Sequence, residues 1–199
     1  MLIYGQKQIK YKINGIVDKT LMYDGTKVFL NQIWIDSTKS KDIDSTIIKN
    51  GKFKIKGICQ ELPHLYHIRI TNVTGNFLTL EPGTIKIQID STKTINIMGT
   101  PINDDLHKYV NKPWREVEDI LKSQNEMSSK INTINKYKTS ILKFVKKYAE
   151  YPIVELFVAQ LDDYGTELPS QIIKRLPEES KTKLKWRKNK INILTNQYK

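Results

Sequence analysis

Between Ile43 and Ile97 apolar and polar residues alternate, and the alternation breaks only at turn residues. A period of two places every second side chain on one face, as in strands half-buried on a core. Lys49-Asn50-Gly51-Lys52 is the strongest turn, because Asn-Gly accepts the two positive φ values of a type I′ hairpin. The pattern predicts a strand over 43–48 before it and a return strand carrying Phe53, Ile55 and Gly57. Pro63 ends that segment, since proline cannot donate to a ladder. Tyr66, Ile68 and Ile70 restart the alternation, and Thr74-Gly75-Asn76 turns into a short strand over 77–80. Glu81-Pro82-Gly83 then leads to Ile85, Ile87 and Ile89, and Ile95 with Ile97 forms the last strand.

Upstream, Ile9, Tyr11 and Ile13 share a face of a strand over 7–17, where Asn14-Gly15 predicts a bulge. Asp24-Gly25 turns the chain into a strand over 27–35 with Val28, Leu30 and Trp34, an expected antiparallel partner or near neighbour of the first. About eight short strands with local, sequential pairing imply an antiparallel β-sandwich or partly open barrel. Lys52, Lys54, Lys56 and Lys86 are expected to guard its strand edges.

At Asn103 the period changes from two to 3.6. Asn103, Asp104 and Asp105 offer a helix start, and Leu106, Tyr109 or Val110, Val117, Ile120 and Leu121 follow at helical spacing. Pro113 is expected to kink or divide this helix. A second helix carries Met127, Ile131, Ile134, Ile141, Val145 and Tyr148 on one face, interrupted by Lys138. A third starts at Pro152 and runs through Leu161, a fourth spans 169–176, and a last one starts at Glu178 and carries Leu184, Ile191 and Leu194. The fold class is therefore α+β: an antiparallel β domain over 1–100 followed by a helical bundle over 101–199. The helices are expected to pack mainly on one another and to touch the β domain through the segment after Gly99 and the first helix.

The formal net charge of +12 raises nucleic acid or an anionic surface as partner. The basic residues, however, are 29 Lys against 4 Arg, beside 28 Ile, a bias that AT-rich codons produce by themselves. Arginine is the residue that reads bases and forks onto phosphate, so nucleic acid is not the expected partner. The basic tail is the exception to test: Lys185, Arg187, Lys188 and Lys190, with Trp186 and Tyr198 interleaved, could contact a polyanion. Its lysines also complement a helix dipole that begins at Glu178 and Glu179.

Candidate chemistry is sparse. Cys59 is the only cysteine, which excludes an internal disulfide or a Cys-x-x-Cys centre. His64 and His67 beside Glu61 have an odd spacing that separates them across a strand, so no metal site is expected. There is no Gly-x-Ser-x-Gly elbow and no glycine-rich phosphate loop. The acidic residues Glu116, Glu118, Asp119 and Glu126 read as the solvated face of a helix. No catalytic residue, cofactor or metal is assigned. No apolar run reaches the roughly 18 residues of a membrane span. Tyr66, His67, Trp114 and Arg115 could wall a ligand groove between the sheet and the helices.

Several segments follow one another in a recognisable order: Ile13-Asn14-Gly15-Ile16-Val17, residues 50–57, Leu62-Pro63-His64-Leu65-Tyr66, residues 77–83, and Met98-Gly99-Thr100 with Asn103-Asp104. Together they resemble the N-terminal domain of unknown function that precedes the thioredoxin-like domain in Bacteroidetes thiol-disulfide interchange proteins, the TlpA and AhpC/TSA-like group. Tyr151-Pro152 and Leu176-Pro177-Glu178-Glu179 resemble the helical region that follows it. The resemblance implies a periplasmic or cell-envelope location and a thioredoxin-like envelope protein as partner, with the thioredoxin domain itself absent from this chain. The expected function is a non-catalytic binding or scaffolding module accessory to thiol-disulfide exchange. The alternatives are an enzyme or small-ligand binder with its site between β domain and helices, and a polyanion binder acting through the basic C-terminal helix.

Overall fold

In the computed structural model, which describes residues 8–33, 41–60, 63–71, 75–178 and 180–182, the alternating segments form eight strands. These are β1 (Gln8–Val17), β2 (Lys27–Gln32), β3 (Lys41–Ile47), β4 (Lys52–Gln60), β5 (Tyr66–Ile70), β6 (Asn76–Leu78), β7 (Gly83–Ile89) and β8 (Ile95–Met98). They make two four-stranded sheets, β4-β1-β7-β8 and β3-β2-β5-β6, whose inner faces share one core in an open sandwich rather than a closed barrel. Ile13, Ile55, Ile85, Ile87 and Ile97 from the first sheet meet Val28, Leu30, Ile68, Ile70 and Leu78 from the second, all buried. Trp34, Glu61, Leu62, Thr74, Glu179 and the basic tail with Lys185, Arg187, Lys188 and Lys190 lie outside the described residues.

Four expectations about the strands are corrected. Pairing is not all antiparallel and sequential: β1 runs parallel to β7, with Ile13 opposite Ile85 and Gly15 opposite Ile87. The chain builds the entire second sheet between these two strands, which supplies the long crossover that a parallel pair needs. For the same reason β1 and β2 are not partners but belong to different sheets. Gly15 is no bulge either, since β1 pairs with β4 without a break and Gly15 lies opposite Phe53. A Cβ on Gly15 would come within 2.0 Å of the Phe53 ring, so the glycine is a seat for that ring. Finally, β4 is an edge strand but β7 is interior, so Lys86 guards no edge.

The Asn50-Gly51 turn has the expected geometry, with φ of 52° and 66° at its two central residues. Lys49 and Lys52 exchange backbone hydrogen bonds of 2.8 and 3.0 Å across it. It nevertheless joins β3 of one sheet to β4 of the other, and so forms a corner of the sandwich. Asp24 fixes that corner by accepting from Asn50 N at 2.7 Å and Gly51 N at 2.8 Å.

The helices are α1 (Pro101–Leu106), α2 (Lys112–Lys122), α3 (Met127–Tyr148), α4 (Glu155–Asp163) and α5 (Ser170–Arg175). The first starts at Pro101, before the expected Asn103, because proline presets the backbone of a first helical turn. Pro113 does not divide the chain into two helices. Residues His107–Asn111 form a π turn that joins α1 to α2, with Lys112 N–H donating to His107 O. Widening the turn ahead of the proline relieves the clash between its ring and the preceding carbonyls.

A second core collects Leu106, Val110, Val117, Ile141, Phe144, Val145, Phe157 and Leu161. The expected stripe on α3 is only half right: Met127 and Ile131 are 70% and 50% exposed, and Leu121 on α2 is 50% exposed. Burial on α3 is carried instead by Tyr137 through Tyr148, where α4 lies alongside. The helices pack largely on one another, but the joint to the sandwich is wider than α1 alone. Leu65, just before β5, is buried in the helical core, Phe77 of β6 meets Phe157 edge-on at 6.2 Å, and Ile153 N donates to Pro63 O at 3.0 Å.

Candidate cleft between sandwich and helices

Where the edge strands β6 and β8 face α2 and α4, the two layers leave a cleft of about 830 Å³. His67, Trp114 and Arg115 line it, and the structure thus brings together three of the four residues read from the sequence. Tyr66 does not join them. It is buried in the sandwich core, because consecutive residues of a strand point to opposite faces and His67 takes the cleft side.

The sheet side of the cleft is already hydrogen-bonded. Asn76 Nδ2 donates to Ile95 O at 2.9 Å, Arg115 donates to the same carbonyl at 3.3 Å, and Asn111 Nδ2 donates to Phe77 O at 3.1 Å. Side chains therefore occupy edge carbonyls that an added strand would need. The floor is aromatic: Trp114 packs against Tyr137 with ring centroids 5.3 Å apart, and His67 against Phe77 at 5.7 Å. Trp114 Nε1 is held by Glu118 at 3.0 Å and Tyr137 donates to Gln160 at 3.3 Å. Charge is mixed, with Arg115, Lys93 and Lys122 facing Glu118, Asp119 and Asp163.

Burial, reinforced by the Arg69 charge, holds the His67 imidazolium below its ordinary range, so the ring is neutral at neutral pH. Burial likewise pushes the Tyr137 phenol far up, which keeps it a neutral hydrogen-bonding group. Asn111 is the residue that sequence reasoning missed. It closes the π turn, is 4% exposed, and its Oδ1 has no hydrogen-bond partner although buried at the cleft. An orphaned buried acceptor costs about 1–3 kcal/mol, and π turns recur at functional sites. Its one sequence signal was a polar side chain two residues before a mid-helix proline.

Cys59 is half-buried on β4, its thiol pushed up to about 11 by burial, and Sγ lies 3.8 Å from Leu80 O. Such a thiol carries little thiolate at neutral pH. No group of three or more His, Cys, Asp or Glu side chains converges on a metal position among the described residues. No described helix is long and apolar enough to cross a membrane.

Comparison with known families bears on the sheet side of this cleft. Residues 11–106 match the family model described as Domain of unknown function (DUF4369). The match runs from within β1 through α1 and ends before Asn111, Trp114 and Arg115, so the helical wall of the cleft lies beyond it. No curated protein and no solved structure matches the chain.

Proposed function

We propose that the protein is a non-catalytic binding module whose cleft between the sandwich and α2 and α4 takes a small, neutral, polar molecule. The observation that carries this reading is Asn111 Oδ1, a buried acceptor without a partner at the cleft. A ligand hydroxyl or amide would satisfy it, and the Trp114–Tyr137 pair would cover the ligand's apolar face. Near-balanced charge along the walls favours a neutral molecule over an ion. We place the module in the bacterial cell envelope, accessory to thiol-disulfide exchange with a thioredoxin-like partner. That placement rests on the sequence resemblance; the family match over residues 11–106 adds only that the sandwich is a domain of unknown function. The weakly acidic thiol of Cys59 supports a role without redox turnover.

The test is amide and indole chemical-shift mapping of the full chain against a panel of mono- and disaccharides and dipeptides. A ligand of the cleft shifts Trp114 Nε1–H and the Asn111 side-chain amide together, and Asn111→Ala abolishes the shifts. Binding that perturbs other surfaces and survives Asn111→Ala and Trp114→Ala counts against the cleft. Reduction of a disulfide substrate by the purified chain alone counts against the non-catalytic assignment.

A further inference from the structure

The sheet β4-β1-β7-β8 turns one face to the core, and its other face is a field of lysines. Period two puts Lys10 and Lys12 of β1, Lys52, Lys54 and Lys56 of β4, and Lys86 of β7 outward, all but the half-buried Lys12 being exposed. No residue of these four strands is an Asp or Glu, so the charge on the face has one sign. Composition does not account for this segregation, because the chain has 21 acidic residues to intersperse. The register even sets Lys12 directly opposite Lys56, and like charges opposed across strands destabilise a sheet. Ile16 and Ile58 stand on the same face, each 58% exposed. Around the Asn50-Gly51 corner, which the Asp24 carboxylate caps, the face continues into a shallow groove with Lys27, Lys49 and Ile47, whose own lining holds no carboxylate.

We propose that this face docks the protein on an anionic phospholipid bilayer. The sheet turns its ammonium groups to one side, toward which a layer of lipid phosphates can approach, and each lysine near such a surface adds to the attraction. The exposed isoleucines between the lysines supply aliphatic side chains to the headgroup boundary. A nucleic acid fits the face less well. It carries no arginine, and the rings of Tyr11 and Phe53 on these strands point into the core, so neither forked phosphate contacts nor base stacking is on offer. The proposal is independent of the cleft, which lies against the β6 and β8 edges.

Co-sedimentation of the full chain with phosphatidylglycerol–phosphatidylcholine vesicles, at low and physiological salt, tests it. The expected result is binding to these vesicles and none to phosphatidylcholine alone, weakening as salt rises. Lys52→Gln/Lys54→Gln/Lys56→Gln should lower the partition coefficient by roughly a hundredfold at low salt. Ile16→Ser/Ile58→Ser should weaken it too, whereas glutamine at Lys185, Arg187, Lys188 and Lys190 should leave it in place. All the face substitutions are at solvent-facing positions, and an unchanged thermal midpoint checks that each variant is folded. Absence of vesicle binding at low salt overturns the proposal, as does binding that survives the triple substitution. Equal affinity for mixed-sequence duplex DNA, lost in the triple variant while the isoleucine variant matches the parent on both targets, overturns it in favour of a nucleic-acid surface.

Discussion

Glu81 and Asn103 meet at the joint between sandwich and helices: the Glu81 carboxylate accepts from both the backbone N–H and the side-chain amide of Asn103, each at 3.1 Å. It also accepts from Thr100 Oγ1 at 2.6 Å and from Ile102 N at 3.1 Å. A carboxylate from the β6–β7 connection thus supplies the capping of α1 that the Thr100 side chain, turned toward Glu81, does not. Asn103 answers by pairing with Thr79 in both directions, at 3.0 and 2.8 Å. Replacing Glu81 by Ala strips several buried donors of their acceptor at once. A loss of about 3 kcal/mol in urea unfolding is expected, with a smaller loss for Glu81→Gln.

A second pair of relationships stiffens the first sheet. Tyr11 lies opposite Gly57 and Phe53 opposite Gly15, so each glycine gives room to an aromatic ring on the neighbouring strand. Gly15→Ala and Gly57→Ala should each cost about 2 kcal/mol through overpacking. Phe53→Ala should remove most of the Gly15→Ala penalty. A double-mutant cycle by chemical denaturation measures this coupling, and strict additivity would show that the ring does not occupy the glycine's space.

Much of this architecture was legible because its signals are local. Asn50-Gly51 fixes a type I′ turn with two residues, and alternation fixes which side chains face the core. The β1–β7 pairing was not legible, since some seventy residues separate Ile13 from Ile85 and a parallel partner leaves no mark on the intervening turn residues. Gly15 was misread because a bulge and a seat for an aromatic ring look alike in one strand and differ only in what the opposite strand carries. The cleft was partly legible: Trp114 and Arg115, one large and one charged, follow soon after the change of period, and His67 is a polar ring within a strand. Including Tyr66 beside His67 ignored the alternation that separates them. Asn111 was hidden because its role depends on a π turn, which widens the helix by hydrogen bonding alone.

Stability should fall on mild acidification. Burial, aided by Arg69, depresses the pKa of His67, and burial with Arg115 and Lys112, partly opposed by Asp104, depresses that of His107. The unfolded chain therefore binds these protons first. Their contribution is complete above the ordinary histidine value of about 6.5 and is lost as pH falls from there toward the folded-state values. Thermal midpoints between about pH 7.5 and 5.5 should decline in the parent and flatten in His67→Gln/His107→Gln.

At lower pH Asp105 takes over. Burial alone would raise its carboxyl, but Lys147 and Tyr148, the latter donating at 2.5 Å, outweigh it and hold the group below the usual range. Its stabilisation is present above the ordinary carboxylate value and disappears as pH falls through the folded one. Asp105→Asn should remove that acid-limb loss while lowering stability at neutral pH, as read by denaturant midpoints across the range.

The corner at Asn50-Gly51 owes its hold to Asp24, which accepts from both turn amides. Asp24→Ala should cost about 1 kcal/mol or somewhat more, and hydrogen exchange at the Asn50 and Gly51 amides should accelerate beyond that of β7.

The most direct measurement of the central claim is the same shift mapping carried out in parallel on the parent chain, Asn111→Ala and Trp114→Ala. Saturable, coincident shifts at Asn111, Trp114 and His67 are expected with at least one saccharide or dipeptide of the panel, with loss of that binding in both variants. Saturable binding that leaves those three residues unshifted and is equally tight in both variants would contradict it.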